Sequence, residues 1–360
     1  MAQEPEVVLV VGGDRHDGWT NVTVRTSIEE LAGSFSVEYT QRWMQGGDPV
    51  AIGTGDPVTL RIGDTLVLTG YVDESFEEYD AATHTVSVSG RSKTADLIDC
   101  AAVYKGGRIG GKNLLEVAKL LCEPFGITVS LSEPGLDIGD AATVQIQDGE
   151  SVFETLNTIA RKEGVLLLSD PSGNLVLARA ATAPLPSLQL RSAENIKRGS
   201  LRSSARDRFS QYLLKGQTAA DPLLKALGRS DLKYSVTDDG VTRYRPFMVL
   251  DHETTIARLR QRAAWERNTR AGRSLALTYD VQGWTNIYGL WQPNTLLRVI
   301  DSTFGLDTDL LTTGVDFSRT LEGGRTARIE LSPRETFDVL KPPKVVKRKK
   351  ASGLAGLLGQ

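Results

Sequence analysis

The sequence predicts a mostly β, α+β chain of several domains. Two related small β-barrels flank an α+β module, and a small inserted domain interrupts the second barrel. Three observations carry this reading. Gly supplies 35 of 360 residues against 14 Pro, where about 7% Gly and about 5% Pro are usual, and a chain rich in tight turns favours β structure. Short β-branched or aromatic runs bounded by turn residues fill the first and last thirds. Between them the apolar period changes from two to 3.6.

In residues 1–92, the segments Val7–Val11, Asn21–Arg25, Phe35–Thr40, Val58–Ile62, Leu66–Phe76 and Thr85–Ser89 read as strands. Gly63-Asp64 is a two-residue hairpin signal, and one helical turn is expected near Ile28–Leu31. Six short strands suggest a small barrel. Residues 93–180 form the α+β module. Leu114, Val117, Ala118 and Leu121 mark one helix face, with Asn113 as cap and Glu116 three residues on. Ser151 and Glu154 make a second capping box. Val165–Ser169, the turn Asp170-Pro-Ser-Gly173 and Leu175–Ala178 read as a hairpin.

Residues 181–216 and 272–340 are assigned to the second barrel, beginning with the strand-like runs Ser187–Leu190 and Phe209–Gly216. Residues 217–271 are the inserted domain, a polar stretch followed by an Arg-rich helix, Thr255–Arg270, with a narrow apolar stripe of Ile256, Leu259 and Ala263. Residues 341–360 are a basic tail of a composition that does not fold alone.

The two β regions repeat one another in order and spacing. Ser34 and Tyr39 match Ser274 and Tyr279, Trp43 matches Trp284, Pro57 matches Pro293, Gly70 matches Gly314, and Thr85 matches Thr326. These pairs lie between 236 and 244 residues apart, with length changes placed in loops. Two similar barrels in one chain have a geometric use. Three such chains closed into a ring give six barrels, threefold in detail and sixfold in outline.

The net charge of −3 conceals opposite fields. Residues 1–100 hold 17 Asp/Glu against 6 Lys/Arg, residues 191–273 hold 18 Lys/Arg against 9 Asp/Glu, and Lys341–Lys350 adds six cations. Nucleic-acid binding is one reading of the basic parts, but they lack the aromatic interleaving of a single-strand platform. Docking between copies, or onto partner proteins, fits both signs better. The candidate contacts are Arg258, Arg262, Arg267 and Arg270 on the helix and Lys347, Arg348, Lys349 and Lys350 in the tail.

Other chemistries find little support. No apolar run approaches the ~20 residues of a membrane span, and the start, Met1 to Glu6, is acidic rather than an export signal. Cys100, Cys122, His16, His84 and His252 make neither a disulfide framework nor a zinc site. Both Cys read as reduced core residues, and Trp43, Trp265, Trp284 and Trp291 as barrel plugs. Gly106 to Asn113 nearly matches a phosphate-binding loop, but Asn113 stands where a Mg²⁺-binding hydroxyl is needed. Glu74, Glu77, Glu78 and Asp80 could supply an acid pair for glycoside cleavage, as in a cell-wall hydrolase of a tail, or form a solvated acidic strand end facing a basic neighbour. The second reading is preferred. No cofactor is expected.

The ending of the first β region, Val86-Ser-Val-Ser-Gly-Arg-Ser92, leads into Thr94-Ala-Asp-Leu-Ile-Asp99. With Leu114–Gly126, Ser151–Leu156, Leu168–Leu175, Trp291-Gln-Pro-Asn294 and Leu310–Asp316, it resembles the baseplate hub proteins of contractile-tailed, Mu-like bacteriophages. The resemblance spans residues 5–340 and rests on the order of the motifs. It implies a non-enzymatic homotrimer in the virion's tail baseplate, made in the host cytoplasm and without stable membrane association. Its partners would be the central spike, the tail tube and neighbouring baseplate proteins, with the tape-measure protein and DNA passing through its channel. The hub of a tailocin or contractile secretion particle is the alternative of the same class.

Overall fold

A computed structural model describes residues 6–41, 52–80, 84–217, 231–251 and 256–337. The first region supplies β1 (Val7–Val11), β2 (Asp14–His16), β3 (Asn21–Ser27), β4 (Ser34–Gln41), β5 (Pro57–Ile62), β6 (Thr65–Tyr79) and β7 (His84–Ser92). Alternation of buried and open residues, as in Pro57–Ile62, puts one face of each strand into the core. The Gly63-Asp64 turn joins Ile62 to its partner Thr65 as expected. The helical turn expected near Ile28–Leu31 is a bend instead. There the Ile28 amide donates to Thr313 O at 2.8 Å and the Glu29 amide to Ser27 Oγ at 3.0 Å, so these donors are spent outside a helical ladder.

The module contains α1 (Ala95–Asp99), β8 (Arg108–Lys112), α2 (Leu114–Cys122), β9 (Val129–Leu131), β10 (Ala142–Gln145), α3 (Val152–Glu163), β11 (Leu166–Ser169) and β12 (Leu175–Ala178). Both capping boxes form, Asn113 with Glu116 and Ser151 with Glu154. The apolar faces of α2 and α3 then close a core with Leu97, Ile109 and Leu177. Cys122 lies in that core, and burial pushes its thiol up to about 12. Cys100 does not: it follows α1 on the exposed side.

The last region supplies β13 (Pro184–Arg191), β14 (Ile196–Ser203), β15 (Gln211–Gln217), β16 (Asp231–Thr237), β17 (Pro246–Asp251), α4 (Ile256–Arg273), β18 (Leu275–Gln282), β19 (Thr285–Asn286), β20 (Gly289–Leu290), β21 (Leu296–Asp301), β22 (Leu306–Thr320) and β23 (Gly324–Ser332). The run Phe209–Gly216, assigned by sequence to the second barrel, belongs elsewhere. As β15 it is the centre of a three-stranded sheet, antiparallel to β16 and parallel to β17. Tyr212 and Leu214 pack there against Leu259 and Ala263 of α4, so these two residues of the expected stripe are the seam of this small core, while Ile256 is exposed.

The repeat is visible in strand order. The first set runs β3-β4-β7-β6-β5-β1 and the second β14-β18-β23-β22-β21-β13. Both long strands carry a one-residue bulge, between Val72 and Glu74 in β6 and between Thr312 and Gly314 in β22. Matching these bulges keeps Thr85 on Thr326 but moves Ser34, Tyr39, Pro57 and Gly70 off their proposed partners, as Gly70 precedes its bulge and Gly314 follows it, while Trp43 lies outside the described residues. Sequence reasoning expected two separate barrels. Among the described residues neither set closes on itself. The C-terminal half of β22 pairs with β3, which joins both sets in one thirteen-stranded sheet over a common core.

Particular side chains fasten these parts. A Cβ on Gly70 would collide with the Arg91 carbonyl, and one on Gly90 with the Tyr71 carbonyl, so β6 and β7 approach closely only because both are Gly. Arg91 reaches Asp73 at 2.6 Å and Asp99 at 2.7 Å, tying the sheet to α1. Asn294 accepts from the Ala181 amide at 2.9 Å and donates to Arg179 O at 3.0 Å, which clamps the module's exit onto the loop before β21.

In the small sheet, Arg208 holds the nearly buried Asp238 at 2.6 and 2.8 Å. These bonds outweigh burial and keep the Asp238 carboxyl below the ordinary aspartate range. A depressed carboxyl stabilises the fold above its unfolded pKa, and that contribution is lost as pH falls through the folded value. Protection of β15–β17 against hydrogen exchange, corrected for the intrinsic rate, should therefore fall below about pH 4. Asp238→Asn should flatten that dependence while costing about 1–3 kcal/mol at neutral pH. An unchanged acid profile in the variant would refute the assignment.

Candidate interaction surface

The lateral junction is the most elaborate polar contact in the sheet. Gly314–Arg319 of β22 runs antiparallel to Val22–Ser27 of β3, with Asp316 opposite Arg25. Val315 and Phe317 from one strand and Val22 and Val24 from the other are buried beneath it. On the outer face Arg25 bridges three carboxylates, Asp316 at 2.8 Å, Glu330 at 3.1 Å and Glu30 at 3.2 Å. Burial opposes the Arg25 charge, yet its hydrogen bonds to Glu330, Glu30 and Asp316 dominate and hold its pKa above the ordinary guanidinium value. Sequence reasoning missed this node, because Asp316 and Glu330 lie 291 and 305 residues away.

The expected contact helix, α4, spends part of its charge internally. Arg270 meets Glu266 at 3.1 Å and stacks over Phe247 at 4.1 Å and Phe209 at 5.4 Å. Arg262 lies 3.7 Å from the same Glu266 but remains about half exposed. Arg267 donates to Asn268 Oδ1 at 3.1 and 3.0 Å. The Arg258 side chain and the tail residues Lys347, Arg348, Lys349 and Lys350 lie outside the described residues, as do Trp43 and His252. The structure therefore brings Arg262 and Arg270 together around Glu266, and gives Arg270 a packing role.

Other candidate chemistries can be placed. Lys112 of the phosphate-loop look-alike ends strand β8, which pairs with β10, and lies 4.0 Å from Glu116, so the segment before α2 is a paired strand and not an open loop. Glu77 and Glu78 are adjacent in β6 and point to opposite sides, while Glu74 and Glu78 share a face ~14 Å apart at ~3.4 Å per residue. Glu74 and Glu78 are therefore farther apart than the ~10 Å within which the acid pair of glycoside cleavage works. Trp284 and Trp291 are buried as expected, and Trp265 is only partly so. Among the described residues no group of three or more His, Cys, Asp or Glu could hold a metal ion.

Among the described residues the ends of the sheet are open. At one end β14 has β18 alone beside it, and almost all its residues are exposed, including Lys197, Arg198 and Arg202. Near the other, β6 outruns β5, whose pairing covers Thr65–Tyr71 only. Its continuation carries Asp73, Glu74, Glu77 and Glu78. The junction itself is testable. Arg25→Met should destabilise the chain by about 2 kcal/mol, because two half-buried carboxylates lose their cation. Chemical denaturation would measure this, and a neutral effect would show that the strand pairing alone holds the halves.

Comparisons with known proteins agree with the motif order. Residues 6–92 match the family described as Mu phage baseplate assembly protein GpP-like, N-terminal. Residues 94–179 match the second domain of the baseplate hub protein gp44-like family, and residues 254–340 the fourth domain of Mu phage baseplate assembly protein GpP. The chain is 35% identical over 339 residues to baseplate hub protein gp44 of Escherichia phage Mu, covering 92% of this chain and 88% of that protein. The crystal structure of the 43 kDa tail protein of prophage MuSo2 from Shewanella oneidensis is similar with a TM-score of 0.83 at 36% identity, covering 93% of this chain and all of that one. A tail protein from Neisseria meningitidis MC58 shares the fold, with a TM-score of 0.80 at 24% identity over 94% of this chain and 99% of its own. By sequence and by fold, the chain belongs to the baseplate hub family of Mu-like bacteriophages.

Proposed function

We propose that this chain is the structural, non-enzymatic hub of a contractile-tail baseplate. Three copies close into a ring of six similar strand systems, threefold in detail and sixfold in outline. Such a ring joins a threefold central spike to a sixfold tail tube, nucleates the tube, and leaves a channel for the tape-measure protein and DNA. The chain is made in the host cytoplasm and resides in the virion's tail baseplate, without stable membrane association or a cofactor. A tailocin or secretion particle could use the same ring.

The observation that supports this reading most is the repetition of one six-strand order within a single chain, joined side by side through β22 and β3. A lateral junction of that kind turns two unlike halves into neighbours on one arc. The exposed side of Arg262, with Arg267, Arg258 and the basic tail, then offers contacts to acidic surfaces of neighbouring baseplate proteins.

Light scattering across a salt series tests the ring. The expected mass is three times 39.1 kDa, falling as salt screens the acidic and basic surfaces. A monomer that also clears peptidoglycan in a gel would overturn the hub reading in favour of a hydrolase. A chain ending at Leu340 should keep the trimer and lose capture of its baseplate neighbours, whereas wild-type assembly would remove the role given to the tail.

A further inference from the structure

We propose that residues 340–345 of this chain's own tail, Leu-Lys-Pro-Pro-Lys-Val, seat in the groove where the two strand sets meet the α+β module. The seat belongs to a single chain and stands apart from the ring proposed above.

The groove encloses about 340 Å³, within the ~300–1,000 Å³ of cavities that hold a ligand. Its walls come from the bend between β3 and β4, the turn from β5 into β6, the turn from β11 into β12, and the loop before β21. Leu31, Leu68, Phe317 and Trp291 supply apolar surface, with Pro171 and Pro293 beside them. Among the described residues that line it, the Asp170 carboxylate is the one charge. It accepts from the Asn174 amide at 2.8 Å and from Asn174 Nδ2 at 3.2 Å, and meets no cation among the described residues.

The described chain ends next to this groove. Phe337 and Leu168 pack against the same small cluster, which contains Ile28, and both Ile28 and Leu168 line the groove. Pro342 is five residues beyond Phe337, and an extended chain crosses up to ~17 Å in that span. Composition then selects the segment. Pro342 and Pro343 have no amide hydrogen, so an apolar wall covers them without stranding a donor. Their backbone is already held near the polyproline conformation, so little freedom is lost on docking. Proline-rich segments meet aromatic-lined grooves in this way. Lys341 and Lys344 flank the two prolines and offer Asp170 the cation it lacks, while Leu340 and Val345 extend the apolar surface at each end.

Charge decides between two neighbouring cavities. Phe337 itself lines a smaller one, of about 200 Å³, to which α3 and α4 both contribute. That cavity carries Arg161 and Arg273 against Glu29, an excess of positive charge that disfavours a segment with two lysines. The groove with Asp170 has the opposite sign. From this seat the basic run Lys347–Lys350 starts at a fixed point beside the module.

Cysteine cross-linking locates the segment. Gln292 lines the groove and is exposed, and Cys100 is the exposed native thiol. In a Cys100→Ser background, Gln292→Cys combined with Lys341→Cys or with Lys344→Cys should form a disulfide within one chain, read as a faster-running monomer on a denaturing gel. Links that form between singly substituted chains when these are mixed would overturn the assignment to the chain's own groove. Linkage of either tail cysteine to Glu29→Cys instead would place the segment in the cavity of Arg161 and Arg273 and overturn the charge argument. No link at all would overturn the seat and leave the hub reading untouched. A second readout needs no disulfide. The Gln292→Cys thiol should react with a maleimide about tenfold faster once Pro342→Gly and Pro343→Gly are added, the factor that ~1.4 kcal/mol sets. An unchanged rate would overturn the seat, whatever the mass of the oligomer.

Discussion

A strand longer than its neighbour leaves an edge that must be filled, and this constraint organises the molecule. β22 has 15 residues and β21 has 6, so β21 covers only the first half of β22. The second half would expose a row of backbone donors and acceptors above a face that buries Val315 and Phe317. β3 fills that edge from the far end of the sequence and brings Val22 and Val24 with it. The apolar gain and the ladder reinforce one another, and Arg25 neutralises the carboxylates that the junction gathers on its outer face. The core of the first set and the core of the second thereby become one.

The other parts hang from this frame at few points. The module is held where Ser92 and Thr94 hydrogen-bond at 2.8 Å beside the Gly33 loop, where Arg91 meets Asp99, and where Asn294 clamps its exit. These residues explain why the motif from Val86 to Asp99 and the Trp291-to-Asn294 segment read as signatures. They are fixed by close backbone approach and by polar fasteners. The small sheet with α4 is fastened separately, through its own aromatic core and the Thr269 hydroxyl, which donates to Thr336 O at 3.2 Å.

What the sequence made legible was local. Strand positions followed from alternation, and both helices of the module followed from their capping boxes, because each signal is contained within a few residues. Partners were not legible. Phe209–Gly216 looks like any buried strand, and only the aromatic cluster of Phe209, Tyr212 and Phe247 under Arg270 shows that it belongs with α4. The repeat was visible in the order of its residues but not in its register, since bulges move Gly70 and Gly314 to different places. The Arg-rich helix looked like free charge, whereas Glu266 and a ring face engage Arg270. The Arg25 node was invisible, because nothing in a sequence places carboxylates some 300 residues away beside one guanidinium.

The halves are related in order and opposed in character, and that difference has a physical consequence. The internal junction buries valines and a phenylalanine, so it is permanent once the chain folds. The equivalent positions, Ser75 and Glu77 of β6 and Gly199 and Leu201 of β14, carry much less apolar area. Both segments therefore tolerate water where the second half of β22 and β3 do not. They also differ in sign, with Asp73, Glu74, Glu77 and Glu78 on β6 and Lys197, Arg198 and Arg202 on β14. Strand order is the same in the two halves while charge differs, so of the two equivalent places only the junction of β22 with β3 is built as a core.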